Sequence, residues 1–421
     1  METDVRRNPA LLKLDLYCKG MRIDDSCLVV DDGGRPILRT RAGLGSGIEL
    51  ILPGGLWTNV PVTESFARAS PYVLYREEGS YLIRRHGEPV ARVRPAPRPD
   101  WYGRTTTGGK PMTRIGTLQG TYLGIYPAHV CDFWKEKPRA NCGFCSVGLN
   151  LGIDDAGEKS VDEVMEVVRA AREESRITYI DFNTGHYEGD TYLDILEPFV
   201  RRVKQETGLL VGVQTPPHHD LSRYAALKEM GVNRVSFCFE IFDPDIFRRV
   251  CPGKDREYGH RRYLEAIAYC AGLGLRPARG AAPRARRSLD PWVSNGEIIA
   301  GLEPPASSIA AIEWITSVGA IPTVCVFRPL VGTDMEDAQP PRTEDLIPVF
   351  RRLYEACMER DLPIGVAPNV HVSLVLLPEE CRGLLHNPRR FWRKELRLKA
   401  MSLLLRSRLE REFRGALLGR S

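Results

Sequence analysis

The sequence predicts an α/β protein: a parallel sheet forming a full or partial barrel, with a β-rich segment before it and a basic helix after it. Three observations predict this. From about residue 115, short apolar runs alternate with amphipathic stretches. Residues 1–112 are broken by Gly and Pro into strand-length pieces. Residues 389–421 carry 11 Lys/Arg against 3 Glu, with Leu398, Leu405, Leu409 and Phe413 at helical spacings.

In the first segment, "YVLYREEGSYLIRRHGEPVARVRP" reads as strand, turn, strand, turn, strand. "PAPRPDWYGRTTTGGKP" reads as a linker. "GTYLGIYPAHV" is the next strand and leads into a cysteine-rich loop. "SVDEVMEVVRAAREES" has Ser160 placed as an N-cap, with Val161, Val164, Val168 and Ala171 on one face. "RITYIDFN" is a strand, and "TYLDILEPFVRRVKQETG" is a helix closed by Gly208. "LLVGVQT", "VNRVSFCFEI", "GEIIAGL" and "IPTVCVFRPL" continue as strands between helical stretches, and "PIGVAPNVHVSLVLL" reads as a late strand. There, Asn369, His371 and Ser373 alternate as a polar strand end or as substrate contacts. The Arg/Pro/Ala-rich stretch 276–294 is too long for an ordinary connection and reads as a loop, a lid or an insertion. The domains are therefore 1–112, a β-rich accessory domain; 113–377, the barrel; and 378–421, a basic helical extension.

A hydrophobic fraction of 43% supports a sizeable core, and no apolar run reaches the roughly 20 residues of a membrane span. The N-terminus lacks the apolar stretch and small-residue site of a signal peptide, so a cytoplasmic protein with reduced thiols is expected. The basic tail suits a helix docked on the barrel with a solvated face, or contact with nucleic acid or an acidic protein.

The chemistry concentrates in "HVCDFWKEKPRANCGFCSVG", which holds Cys131, Cys142 and Cys145 in a C-x10-C-x2-C pattern. The loop follows a strand, which places it at the catalytic face of a β/α barrel. Three thiolates can hold three irons of a [4Fe–4S] cubane and leave the fourth open. With His129 they can instead make a Cys3His zinc site. Cys238 and Cys325 lie on strands and read as buried free thiols, with Cys238 on the same side of its strand as Glu240. Glu240 ends an apolar strand, where a charge needs a partner such as Arg249.

Several motifs together resemble the radical SAM superfamily over roughly residues 115–375. Cys142-Gly143-Phe144-Cys145 keeps the family's C-x2-C with an aromatic before the last cysteine, while the ten-residue first gap departs from the usual three. "FNTGHYEGD" sits where the family has a Gly-Gly-Glu-like motif, with Thr184, Gly185 and Glu188 as the nearest matches for contacts to the SAM amino group. "GVNRVSFCFEIFDPDIFRRVCPGK" is similar to the fourth-strand region of lipoyl and biotin synthases. That match implies Glu240 on the ribose hydroxyls and Arg249 on the SAM carboxylate. "GEIIAGLEPP", around Gly301 and Glu303, resembles the fifth-strand glycine motif, and "IPTVCVFRPLVGT" the sixth-strand segment, with Val326 and Phe327 nearest the adenine.

The resemblance implies a (β/α)6-type barrel, a [4Fe–4S] cluster on Cys131, Cys142 and Cys145, and S-adenosyl-L-methionine as co-substrate. It also implies a reductant protein such as flavodoxin or ferredoxin. Reductive cleavage of SAM would then give a 5′-deoxyadenosyl radical that takes hydrogen from an unidentified substrate, leading to methylation, sulfur insertion or rearrangement. The rival functions are a non-catalytic zinc or scaffold barrel, and a nucleic-acid-modifying radical SAM enzyme docked by the basic tail.

Overall fold

The computed structural model describes residues 4–27, 39–42, 45–275 and 291–418. Residues 276–290 of the Arg/Pro/Ala-rich stretch lie outside the described residues, and Val293 already belongs to a strand. Two sheets carry the fold. The first comprises β1 (Arg22–Ile23), β2 (Arg39–Ala42), β3 (Gly45–Ile51), β4 (Trp57–Val60), β5 (Tyr72–Glu77), β6 (Ser80–Arg85) and β7 (Glu88–Pro95). They run in the order β1-β5-β6-β7-β3-β2, with β4 paired to β3. The β5–β6–β7 meander turns through the pairs Glu78-Gly79 and His86-Gly87. All four residues have positive φ, as a two-residue turn matching strand twist requires.

The second sheet comprises β8 (Thr117–Leu118), β9 (Leu123–Ile125), β10 (Tyr179–Asn183), β11 (Leu210–Gln214), β12 (Arg234–Glu240), β13 (Val293–Ala300) and β14 (Ile321–Val326). Strands β9 to β14 pair in parallel and in sequence order, and β8 adds antiparallel to β9. The sheet curls into an open barrel of the β/α kind. The predicted strand over "GTYLGIYPAHV" is β9, and the chain turns at Gly120 (φ 85°) to pair it with the short β8 that precedes it. A Cβ there would meet the His371 carbonyl oxygen at 2.1 Å.

The helices are α1 (Pro9–Lys19), α2 (Ser65–Arg68), α3 (Val147–Asn150), α4 (Val161–Ser175), α5 (Tyr192–Thr207), α6 (Ser222–Glu229), α7 (Pro244–Val250), α8 (Pro252–Glu257), α9 (Gly259–Leu275), α10 (Pro305–Ser317), α11 (Thr343–Glu359) and α12 (Trp392–Leu418). Ser160 caps α4 in a reciprocal capping box with Glu163, and Val164, Val168 and Ala171 are buried. Gly208 ends α5 in the left-handed conformation.

Other local expectations differ. Residues 4–19 contribute no strand: Asn8 accepts from the Leu11 N–H, Pro9 opens the helix, and α1 buries most of its length. The linker-like segment is docked, with Trp101 fully buried and its N–H donating to Glu174 (2.9 Å). The late stretch 363–378 forms no strand. It makes one isolated bridge, Gly120 to Val372, and Asn369 breaks its extended course at φ 55°. Its apolar alternation reflects burial on one side without a ladder.

That stretch is held from the N-terminal elements. Lys13 Nζ bonds the Val372 carbonyl (3.2 Å) and pairs with Glu380 (2.7 Å). The Tyr17 hydroxyl and the Asn59 N–H both donate to the Ser373 carbonyl, at 2.6 and 2.7 Å. Arg328, buried, donates to Asn59 and lies over the Tyr17 ring. Helix α12 buries Leu398 and Leu409, and Lys394 caps the last carbonyls of α11. Among the described residues, no helix is long and apolar enough to cross a membrane.

Candidate active site

A cavity of about 510 Å³ runs through the lumen of the open barrel. The cysteine loop covers it where the parallel strands end. The stretch 363–379 lines the opposite part, together with the first residues of β13 and β14.

The ten-residue gap between Cys131 and Cys142 closes on itself. A single turn over Asp132–Trp134 follows Cys131, and the Ala140 N–H returns to the Phe133 carbonyl (3.0 Å). The loop is strapped on both sides. His186 donates its N–H to Cys131 Sγ (3.4 Å), Asp132 donates to the His186 carbonyl (2.9 Å), and the Phe133 and His186 rings stack at 4.3 Å. Opposite, the Gly143 N–H meets the Val250 carbonyl (2.9 Å) and the Gly253 N–H meets the Ala140 carbonyl (3.0 Å). Gly185 allows the close approach: a Cβ there would lie 2.5 Å from the Cys131 Cβ.

Cys131, Cys142, Phe144 and Cys145 all line the cavity. Burial pushes the Cys131 thiol up to about 11 and the Cys145 thiol up to about 12. Cys142 moves the other way, chiefly because the Cys251 thiol hydrogen-bonds to it, with the Lys254 cation assisting. Among the described residues, no three His, Cys, Asp or Glu side chains form a set that could hold a single metal ion. His129 is half-exposed, pairs with Asp132 (3.6 Å) and packs on Tyr187, which counts against a Cys3His zinc site. Three soft thiols spread around one lumen suit a polynuclear centre, in which each thiol takes its own iron.

Of the other expected residues, Thr184, Gly185 and Glu240 line the cavity. Glu240 sits at a bulge at the end of β12 with φ 68°, a conformation a non-glycine residue adopts only under constraint. Its partner is Lys254 (2.9 Å), which also donates to the Cys238 carbonyl. Arg249 does not reach it. Helix α7 turns Arg249 to solvent, and the break at Cys251-Pro252 starts α8, which brings Lys254 back to the strand end.

Glu188 is exposed and outside the cavity; its N–H donates to Asp132 (3.0 Å), which fastens the cysteine loop. Val326 and Phe327 are buried but do not line the cavity. Along β14, Ile321, Pro322, Thr323 and Cys325 line the cavity, whereas Val324 and Val326, which alternate with Thr323 and Cys325, do not. Glu303 accepts the N–H groups of Phe242 and Asp243, at 3.0 and 2.9 Å, and so braces the loop after β12.

Sequence reasoning missed Lys254, Tyr263, His186 and a polar belt deeper in the lumen. The belt comprises Tyr179 and Asp181 on β10, Gln214 on β11, Arg234 and Ser236 on β12, and Glu297 on β13. Arg234 pairs with Asp181 (3.2 Å). Burial, with Glu240 nearby, pushes the Glu297 carboxyl up to about 7. A signal was present: Asp181, Arg234 and Glu297 are charges inside otherwise apolar strands, and Arg234 shares the parity of Cys238.

Residues 138–281 match the family model described as the Radical SAM superfamily. The chain is 22% identical over 291 residues to bacteriochlorophyllide c C-7(1)-hydroxylase of Chlorobaculum limnaeum, covering 63% of this chain and 68% of that protein. Among solved structures it is similar to methylornithine synthase, with a TM-score of 0.40 and 15% identity, covering 61% of this chain and 72% of that one. Coproporphyrinogen III oxidase from Escherichia coli gives a TM-score of 0.35 and 13% identity, covering 57% and 52%.

Proposed function

We propose that this chain is a radical SAM enzyme, as the family match over residues 138–281 supports, and that Cys131, Cys142 and Cys145 hold its [4Fe–4S] cluster with SAM bound beside it. The observation that carries this reading is the convergence of three thiols on one end of a barrel-length cavity, despite the ten-residue gap. When bound, the cluster and SAM supply an electron and the adenosyl radical that abstracts hydrogen from the substrate.

The chain's own residues bind, orient and exclude water. Thr184 and Gly185 line the cavity beside Asn183, whose side-chain oxygen is buried without a partner. That free acceptor suits an amino group, since a buried unpaired oxygen is costly. Glu240, fixed by Lys254, is the acceptor for ribose hydroxyls. Lys254, rather than Arg249, is the cation that holds Glu240 in place. Tyr263 presents an unpartnered, buried hydroxyl to the same part of the cavity. Phe144 supplies an apolar wall, and the stretch 363–379 keeps the lumen dry, as radical chemistry requires. Glu188, Val326 and Phe327 drop out of the binding set. Flavodoxin or ferredoxin is the proposed reductant. The eleven free cysteines suit the reducing cytoplasm.

Anaerobically reconstituted protein should contain about four irons per chain. With dithionite and SAM it should release 5′-deoxyadenosine. Cys131→Ala, Cys142→Ala and Cys145→Ala should each abolish both. Stoichiometric zinc without iron–sulfur absorbance would overturn the assignment.

A further inference from the structure

Below the proposed SAM site, the charges that face the cavity do not cancel. Among the described residues, its lysine and arginine cations are Arg234 and Lys254, and each is committed. Lys254 belongs to Glu240 (2.9 Å). Arg234 meets Asp181 (3.2 Å), Asn295 (3.1 Å) and Ser236 (3.2 Å), which occupy its three nitrogens. Glu297 is left with distant neighbours only: Gln214 Nε2 at 3.4 Å, Ser236 Oγ at 3.4 Å, Cys325 Sγ at 3.7 Å and Arg234 at 3.8 Å. An ordinary N–H···O bond is about 2.7–3.2 Å, so this carboxyl is surrounded but not gripped. It faces the cavity on the middle of β13. Across from the belt, residues 364–374 line the cavity with the aliphatic side chains Ile364, Val366, Val370, Val372 and Leu374, and Glu379 follows them in the lining.

A phosphate or carboxylate entering this lumen would find no uncommitted cation and would have to lose its water unpaired, which is costly. A protonated amine would find the reverse: an under-satisfied carboxyl, and an apolar surface for its hydrocarbon. We propose that the substrate of this enzyme is an aliphatic amine, its ammonium seated on Glu297 and its hydrocarbon body against the stretch 363–374. This deepens the radical SAM reading and rests on it.

The test is calorimetric, on anaerobic, cluster-reconstituted protein with SAM bound, using n-hexylamine, hexan-1-ol and hexanoate as probes. Hexylamine should bind, and hexanoate should bind at least about tenfold more weakly, the worth of one charged hydrogen bond. Glu297→Gln should weaken hexylamine at least about tenfold and leave hexan-1-ol unchanged. The wild-type amine-against-carboxylate comparison decides the matter even if the variant folds poorly. Hexanoate binding as tightly as hexylamine, no hexylamine binding, or an unchanged affinity in the variant overturns the proposal. Iron content and 5′-deoxyadenosine release, measured on the same batch, separate the two readings. Normal values with no amine preference sink the amine alone, and missing iron sinks the cluster assignment.

Discussion

Gly185→Ala adds one methyl group at the tightest contact in the proposed active site. The new Cβ would lie 2.5 Å from the Cys131 Cβ, 2.8 Å from the Tyr126 hydroxyl and 3.0 Å from the Cys131 Cα. An ordinary carbon–carbon contact is about 3.5–4.0 Å, so Cys131 must retreat by about 1 Å. Two of the three atoms lie at the Cys131 backbone and Cβ, and the third, the Tyr126 hydroxyl, is tied to Tyr187 (3.0 Å). Overpacking of this kind costs about 1–3 kcal/mol. The retreat also moves a thiol and loosens the His186 N–H bond to it, and a displacement of about 1 Å can cost about a hundredfold in rate. The variant should therefore melt lower, hold less iron after anaerobic reconstitution, and release 5′-deoxyadenosine far more slowly. Gly157→Ala is the control, because a Cβ there meets nothing closer than 4.0 Å. Wild-type iron content and melting temperature in Gly185→Ala would refute the argument that this glycine sets the position of Cys131.

Lys254→Met leaves the Glu240 carboxylate buried without its partner and should cost about 3–5 kcal/mol in a denaturant titration; adding Glu240→Gln should restore part of that, and no restoration would mean the pair is not coupled. Arg249→Ala and Glu188→Ala should leave SAM affinity within about twofold by calorimetry, since neither side chain faces the cavity; a tenfold loss in either would return it to the binding set. Burial pushes Glu49 up to about 7, above its unfolded value of about 4.3, so the folded state holds the proton more tightly and stability falls as pH rises between those values. Glu49→Gln should keep the bond from the Gly120 N–H (2.7 Å), melt higher than wild type at pH 8 and lose that advantage near pH 4; a pH-independent shift would exclude the buried charge as its cause.

The features legible in the sequence are those settled between near neighbours. Ser160 and Glu163 cap α4 because the capping box spans three residues, and Gly208 ends α5 because its freedom at positive φ is its own property. The βα alternation is a periodicity, and the C-x2-C turn carries its own hydrogen bond from the Cys145 N–H to the Cys142 carbonyl (3.0 Å). Alternation alone misled over 363–378, where one buried side imitates a strand that no neighbouring ladder completes. Tertiary structure decided everything that depends on which distant segment arrives opposite. It chose Lys254 over Arg249 for Glu240, because the break at Pro252 redirects the chain by a turn whose outcome no local spacing reports. It set the Cys251 thiol on Cys142, and it brought Asp181, Arg234 and Glu297 from three strands into one belt. A charge on an apolar strand announces that it needs a partner, but burial makes any partner acceptable in principle. Only the assembled lumen determines which one comes within hydrogen-bonding distance and which carboxyl is held loosely.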